Sequence, residues 1–166
     1  MLGIIFLLGN YYCTIHAQVG ITGRMNTEIV SPLVVIETEQ MGFGKFVSDI
    51  SGGTLQLTAS GERIATGSIT LLESPVQSGK FTITGLPGKL VAVVLPQQSV
   101  KLTLENSNNT LTVDNFTSNF DNTSGVIMNA SGRVEVLIGA TLYVGNWASN
   151  PPGFYTGTYD AVFMYN

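Results

Sequence analysis

Apolar and polar residues alternate along most of this chain in short runs. After the first eighteen residues, apolar side chains recur with a period of two, and Gly, Pro, Asn or Ser bounds each run. A period of two places successive side chains on opposite faces of a strand, whereas a helix requires a period of 3.6. The pattern therefore predicts about nine or ten β-strands and no helix. The runs lie at residues 33–37, 55–57, 69–71, 81–83, 90–95, 100–104, 111–113, 134–144 and 155–165.

Three of these runs carry finer predictions. Residues 90–95 are continuously apolar, which predicts a central strand buried on both faces. Gly139 interrupts the longest alternation and predicts a bulge or a bend there. The last run predicts one long strand, and the residues that share its core-facing side are Tyr155, Gly157, Tyr159, Ala161, Phe163 and Tyr165.

Turn signals separate the runs at regular intervals. They occur at Gly52-Gly53, Ser60-Gly61, Pro87-Gly88, residues 106–109 and residues 151–153. The polar stretch at residues 115–125 predicts a loop. Regularly spaced strands without helices indicate a single β-sandwich domain, which we place at residues 18–166.

The first seventeen residues predict a secretory signal peptide. Residues 2–8 form an apolar run that is too short for a transmembrane helix, which needs about 20 residues. Ala17 offers a small residue for cleavage before Gln18, although no Lys or Arg precedes the run. A buried N-terminal strand is the alternative. Tyr11 and Tyr12 replace the small residues that a lipid-modified Cys13 would need, so we expect export without a lipid anchor.

Composition restricts the chemistry of the exported chain. Only 11% of residues are charged and the formal net charge is −4, which argues against nucleic acid as a partner. Cys13 is the sole cysteine and His16 the sole histidine, and both lie in the predicted signal peptide. Without them the chain has no thiol or imidazole for nucleophilic, redox or zinc chemistry. We therefore predict no enzyme, no cofactor and no metal site. A hydrolase acting through two carboxylates is a distant third hypothesis.

One loop offers a candidate ligand site. Trp147 is flanked by Asn146 and Asn150, whose amides could bond sugar hydroxyls while the indole stacks on a sugar ring. The same tryptophan could instead cap one end of the sandwich core, which is the interpretation that we favour. The loop supports a second hypothesis for function, a surface adhesin module that binds a carbohydrate or a host.

Two stretches together resemble a known family. The first is Met41-Gly42-Phe43-Gly44-Lys45-Phe46, followed by Gly52-Gly53-Thr54-Leu55 and Ser60-Gly61. The second is Gly139-Ala140-Thr141-Leu142-Tyr143-Val144-Gly145, followed by Gly153-Phe154-Tyr155-Thr156-Gly157-Thr158-Tyr159 and Met164-Tyr165-Asn166. The pattern resembles an uncharacterised family of secreted bacterial domains of unknown function. That family is similar to spore coat protein U domains and to archaic chaperone–usher pilins.

The resemblance implies an all-β, immunoglobulin-like sandwich of the pilin or adhesin type. It also implies a non-enzymatic structural subunit, fimbrial or pilin-like, at the cell surface or in the extracellular or periplasmic space. Such pilins are completed by a strand from a neighbouring subunit. The partners implied are therefore copies of the chain or related subunits, with a periplasmic chaperone and an usher.

The same resemblance implies roles for two sets of residues. The groove beside the missing strand would be lined by Tyr159, Ala161, Phe163 and Tyr165. The inserted strand would use the alternating residues Val19, Ile21, Gly23 and Met25. In the alternative, residues 19–30 form the first strand of the chain's own complete sandwich.

Overall fold

A computed structural model of the protein describes residues 19–120 and 125–166. In these two ranges the chain forms eleven strands and no helix, which confirms the all-β prediction with more strands than the nine or ten expected. The predicted signal peptide, with Cys13 and His16, lies outside the described residues. The strands are β1 (Val34–Glu39), β2 (Phe46–Leu57), β3 (Arg63–Leu71), β4 (Gly79–Thr84), β5 (Leu90–Val94), β6 (Val100–Leu104), β7 (Thr110–Ser118), β8 (Val126–Ile127), β9 (Arg133–Val144), β10 (Tyr155–Thr156) and β11 (Val162–Tyr165).

Strand β9 organises the larger of two antiparallel sheets. Its N-terminal half pairs with β4 and its C-terminal half with β2, while β7 pairs along its other edge. The larger sheet follows the order β1-β4-β9-β7-β6-β10, and β3 joins it through β2. The smaller sheet follows the order β11-β5-β8.

Gly139 lies where β9 changes partner. Ile138 is the last residue of β9 that pairs with β4, and Ala140 is the first that pairs with β2. A Cβ atom on Gly139 would overlap the carbonyl oxygen of Leu57, so only glycine permits this close approach. The irregularity in pairing lies on the neighbouring strand β7, between Asp114 and Thr117.

The two sheets enclose one hydrophobic core. The larger sheet curls, and inward-facing side chains of both sheets pack into a single cluster. This arrangement confirms the predicted β-sandwich. None of the described residues forms a helix long and apolar enough to cross a membrane. The largest fully buried side chains are Leu55, Leu57, Ile83, Val91, Met128, Val136, Ile138 and Leu142.

Two local predictions from composition were wrong. Strand β5 is central in its sheet, but only one of its faces is buried, and Val94 is 43% exposed. Residues 115–118 belong to β7 instead of a loop. The strand accommodates them because Asn115 adopts a φ of 52° and Phe116 turns toward the core, where it is 7% exposed.

The Gly52-Gly53 pair is not a turn between strands. Both glycines lie within β2, where the pairing with β3 shifts register between Ser48 and Gly53. Gly52 has a φ of 64°, and a Cβ atom on it would overlap the carbonyl oxygen of Val144. A local signal for positive φ therefore marks a β-bulge as well as a turn.

The last apolar run forms two short strands instead of one long strand. Strand β10 pairs with β6 in the larger sheet, and β11 pairs with β5 in the smaller sheet. Residues 157–161 cross between the sheets without a strand partner among the described residues. The shared inward face is nevertheless confirmed, since its side chains pack against the core at Tyr155, Tyr159, Ala161, Phe163 and Tyr165.

Candidate functional site

A groove of about 1000 Å³ opens at one end of the sandwich. Its floor is the inner face of β6, β7 and the C-terminal half of β9, and includes Leu102, Val113 and Leu142. Most of the lining is apolar, and Glu37 and Lys45 are the only charged residues among the lining side chains. The groove is therefore suited to an apolar occupant.

The sides of the groove cover the core incompletely. Leu142 and Val113 on the floor are only 1% and 2% exposed. Around them, on the floor and on the sides, lies a set of apolar side chains that are only half-buried although they pack against the core. An occupant of the groove would remove these side chains from water, which is favourable in proportion to the apolar area covered. They are Met41, Phe43, Phe46, Val100, Leu102, Tyr155 and Tyr159.

Two of the strands at the ends of the larger sheet, β1 and β10, border the groove. Within the described residues, β1 pairs only with β4, and β10 pairs only with β6. Glu37 of β1 and Tyr155 and Thr156 of β10 line the groove. A strand edge without a partner presents backbone N–H and C=O groups to which another strand can pair. The groove thus combines an apolar floor with strand edges that can accept an added strand.

Residues 42–46, part of the motif that carries the family resemblance, form one wall of the groove. Arg63 of β3 holds this wall in place. Its guanidinium donates hydrogen bonds to the carbonyl oxygens of Phe43 at 3.3 Å, Lys45 at 3.1 Å and Leu72 at 2.9 Å. The planar fork of arginine can bond several acceptors at once. Nothing in the sequence pattern marked Arg63 for this role.

Other contacts fix the same wall. The Lys45 N–H donates to Ser74 Oγ at 2.7 Å, and Gly42 exchanges two backbone hydrogen bonds with Gln77, at 2.7 and 3.1 Å. Gly44 has a φ of 71°, and a Cβ atom on it would crowd the side chains of Ser74 and Arg63. The close packing of this wall therefore explains Gly44, whereas a Cβ atom on Gly42 would meet nothing within 4 Å.

An ion pair lies at the end of β1, close to the wall in sequence. The carboxylate of Glu39 accepts a hydrogen bond from Lys80 Nζ at 3.2 Å. Hydrogen bonds from Gln77 and Lys80 lower the pKa of Glu39. In the described parts of the chain, no group of three or more His, Cys, Asp or Glu side chains is placed to hold a metal ion.

The loop at residues 145–154, which carries the candidate ligand residues Asn146, Trp147 and Asn150, borders the mouth of the groove. Asn146 Oδ1 accepts a hydrogen bond from the Ser149 N–H at 2.8 Å. Asn150 accepts one from the Gly145 N–H at 2.6 Å and donates one to the Thr110 carbonyl at 2.8 Å. Both asparagine side chains are thus engaged in shaping the loop.

Trp147 does not cap the core, because its side chain is 63% exposed. The interpretation that we favoured from the sequence was wrong on this point. Phe154 of the same loop is 69% exposed. The asparagine bonds that hold the loop leave both aromatic side chains at the rim of the groove, where they face solvent.

Tyr159 reaches from one side of the groove to the other. Its hydroxyl occupies the space that a Cβ atom on Gly79 would need, next to Met41 on the opposite side. The ring contacts Phe116 at a centroid distance of 5.3 Å and Phe81 at 6.3 Å. The hydroxyl oxygen is buried and has no hydrogen-bond partner in the described structure. Burial, and secondarily the charge of Glu37, raises the pKa of this hydroxyl to about 12.

Tyr159 alone of the four residues predicted to line the groove does so. Ala161, Phe163 and Tyr165 lie outside the lining of this groove, because the chain crosses to the smaller sheet after β10. Phe163 packs on Phe81 at a centroid distance of 5.5 Å. Tyr165 lies away from the groove, where its hydroxyl accepts a hydrogen bond from the Leu86 N–H at 2.8 Å.

Residues 19–32, which we call the arm, lie outside the sandwich. They form no strand with the described residues, and every one of them is exposed. The predicted strand-exchange residues Val19, Ile21 and Met25 are 92%, 94% and 99% exposed, and nothing lies near Gly23. Ile29, on the same side of the arm beyond the polar Thr27, is 95% exposed. The alternative in which residues 19–30 form the first strand of their own sandwich is not what the structure shows.

The fold and the groove define a class of protein: a β-sandwich with an apolar groove between free strand edges and an unpaired arm. The chain belongs to the family described as a domain of unknown function, DUF4402, whose model matches residues 33–165. The match covers the sandwich and leaves the arm out. No curated protein and no solved structure matches the chain.

Proposed function

We propose that this protein is an exported, non-enzymatic structural subunit that assembles by strand addition. In this proposal the arm of one copy enters the groove of a second copy. A related subunit could supply the arm in the same way. The observation that carries the proposal is that one chain has both an apolar groove between free strand edges and an exposed arm with strand periodicity.

The pattern of the arm supports this role. With the exception of Thr27, residues 19–29 alternate between an apolar and a polar face, as in a strand that covers a core. The polar face carries Thr22, Arg24, Asn26 and Glu28. Large apolar side chains that are more than nine-tenths exposed have no stabilising function in the isolated subunit, whereas they would gain it on burial in an apolar groove.

The place where the arm joins the sandwich favours a second copy as the acceptor. The arm leads into β1 at Val34, which pairs with Thr84. The wall at residues 42–46 follows the other end of β1, and a strand of 6 residues spans about 20 Å. The arm of a neighbouring subunit can therefore approach the groove directly, whereas a chain that filled its own groove would have to reverse direction before β1.

The resemblance to spore coat protein U domains and archaic chaperone–usher pilins supports the finer proposal of a pilin-like or fimbrial subunit at the bacterial cell surface. On that proposal a periplasmic chaperone and an usher are partners, since an open groove needs protection before assembly. Few charges and strands with Thr and Ser on their outer faces suit an extracellular structural domain.

The decisive experiment compares two substitutions in the arm of the full chain. Ile21→Asp places a charge on the apolar face, and Thr22→Asp places the same charge on the polar face. Neither side chain contacts the sandwich, so both variants should unfold at the same temperature as the wild type in their monomeric form. We expect Ile21→Asp to abolish assembly in light scattering over a range of concentrations, and Thr22→Asp to retain it.

A photo-crosslinking residue at position 21 shows which residues the arm contacts in the assembled protein. We expect crosslinks between isotopically distinct copies, in peptides that contain residues 42–46 or 153–159. A wild-type protein that stays monomeric at high concentration would contradict the proposal, as would crosslinks confined to one chain.

A second candidate function is a surface adhesin module that binds a carbohydrate or a host. The exposed indole of Trp147 favours it, because an aromatic ring in that position could stack on a sugar. This hypothesis predicts that the protein binds to glycans on a broad array and that Trp147→Ala abolishes this binding.

A further inference from the structure

Tyr159 differs from the other residues that line the groove because its hydroxyl is buried without a hydrogen-bond partner. In the described residues it is the one buried side-chain polar atom in this condition. A buried donor without an acceptor costs the free energy of its desolvation. The empty subunit thus holds one side chain in the groove in an unfavourable polar environment.

The position of the ring shows what it does there. Tyr159 belongs to the connection at residues 157–161 on one side, and its hydroxyl lies against Gly79 and beside Met41 on the other. The side chain therefore crosses the groove and occupies space that an inserted strand would need. Gly79 makes room for the hydroxyl only because it has no Cβ atom.

Tyr165 provides the contrast. It also projects its hydroxyl over a glycine, Gly85, but that hydroxyl is bonded to the Leu86 N–H at 2.8 Å. Tyr165 belongs to β11, which pairs with β5, whereas the backbone around Tyr159 has no strand partner among the described residues. Tyr165 is held by a hydrogen bond and a sheet, whereas Tyr159 is held by packing contacts among the described residues.

We propose that Tyr159 is a displaceable plug, which fills part of the groove in the empty subunit and moves out when the arm of a second copy enters. This inference rests on the proposed function. Displacement transfers the hydroxyl from a site without an acceptor to water or to a polar partner. The plug covers part of the apolar floor before assembly. It is displaced by a strand that covers more of the floor.

The test uses the full chain with Ile21→Asp as an acceptor that cannot donate its own arm, and a synthetic peptide of residues 19–30 as the probe. In this acceptor, Tyr159→Phe keeps the ring but removes the unsatisfied hydroxyl. The empty state becomes more favourable while the filled state is unchanged, so we expect the peptide to bind about tenfold more weakly. Tyr159→Ala removes the plug and should bind the peptide more tightly or faster.

Tyr165→Phe is the matched control. Its hydrogen bond is present in both states, so we expect lower stability of the fold but unchanged peptide affinity. A second measurement follows the ionisation of Tyr159 through the tyrosinate absorbance that Tyr159→Phe removes. Its pKa should move from about 12 toward the ordinary value of 10 when the peptide binds.

The outcomes separate the two proposals. If the peptide fails to bind the acceptor, the proposed function fails. If it binds but Tyr159→Phe leaves the affinity unchanged or raises it, or if the pKa of Tyr159 stays high, the plug is wrong while strand addition stands.

Discussion

The two ends of the sandwich differ in how completely their polar groups are hydrogen-bonded and their apolar side chains are buried. At the closed end, the connections around β4, β5, β8 and β9 are joined by hydrogen bonds, including Gly85 N–H to the Gly132 carbonyl at 2.8 Å. Asn129 Oδ1 there accepts bonds from the N–H groups of Ser131 at 3.0 Å and Arg133 at 2.9 Å. Met128, beside them, is 1% exposed.

At the open end, the wall at residues 42–46 and the loop at residues 145–154 stand on either side of a groove with half-buried apolar side chains. Trp147 and Phe154 remain in solvent there, and the Tyr159 hydroxyl lacks a partner. The comparison shows that hydrogen bonds join the connections at the end where the chain passes from β4 to β5. What remains unsatisfied is concentrated at one place, as expected for a surface that another chain covers.

The largest expected effect comes from adding a methyl group under each tyrosine. Gly79→Ala and Gly85→Ala each place a Cβ atom against a tyrosine hydroxyl, and overpacking of this kind costs about 1–3 kcal/mol. We expect both to lower the free energy of unfolding measured in urea. Replacing the tyrosine by phenylalanine should restore the lost stability to a different extent at the two ends.

Tyr159→Phe removes the overlapping oxygen at the open end and loses no hydrogen bond, so it should restore most of the stability to Gly79→Ala. Tyr165→Phe removes the overlapping oxygen at the closed end, but it leaves the Leu86 N–H without its acceptor and leaves the new Cβ atom crowded by Leu33 and the aromatic ring. Both effects act in the same direction, so rescue of Gly85→Ala should fall short by at least about 1 kcal/mol. Equal rescue at both ends would remove the distinction between the tyrosines.

A smaller effect is expected from loosening the wall. Arg63→Met keeps much of the side-chain volume but removes three hydrogen bonds to the carbonyls of Phe43, Lys45 and Leu72. Most of these groups are exposed, so water replaces the lost bonds and we expect a cost of about 1 kcal/mol. Amide hydrogen exchange should accelerate at Gly42 and Lys45, while the amides of the closed end keep their protection.

Arg63→Lys is the control for charge. A lysine keeps the positive charge but cannot bond three carbonyls from one planar group, so its exchange rates should lie between those of the wild type and Arg63→Met. If both variants leave exchange in the wall unchanged, Arg63 does not hold it.

Much of the fold could be predicted because strand periodicity is local. Alternation in residues 134–144 is enough to identify β9, and glycine signals placed most turns. The same signals could not distinguish a turn from a bulge at Gly52, because both structures contain a residue with a positive φ. The crossing at residues 157–161 could not be predicted either, since Tyr159 and Tyr165 share one period although they end in different environments.

The candidate site was only partly predictable, for a related reason. The alternation of Val19, Ile21 and Met25 predicts a strand with one apolar face, but a pattern does not state which chain covers that face. The role of Arg63 depends on β3 lying beside residues 42–46, which is a tertiary contact without a sequence signal. The motif at Gly42 to Phe46 was recognisable, whereas its role as a wall required the structure.

The smallest expected effect on stability lies at the rim of the open end, and it separates the two functions. Trp147 is 63% exposed and the loop beneath it is held by Asn146 and Asn150, so Trp147→Ala should change the free energy of unfolding by less than about 0.5 kcal/mol. Phe154→Ala, at 69% exposure, is the matched control on the same rim. On the assembly proposal, wild-type protein gives no signal on a glycan array, and both variants weaken assembly only slightly because the arm contacts the floor and walls more than the rim. A glycan signal that Trp147→Ala removes and Phe154→Ala retains would instead make the open end a sugar site, with the groove as its support.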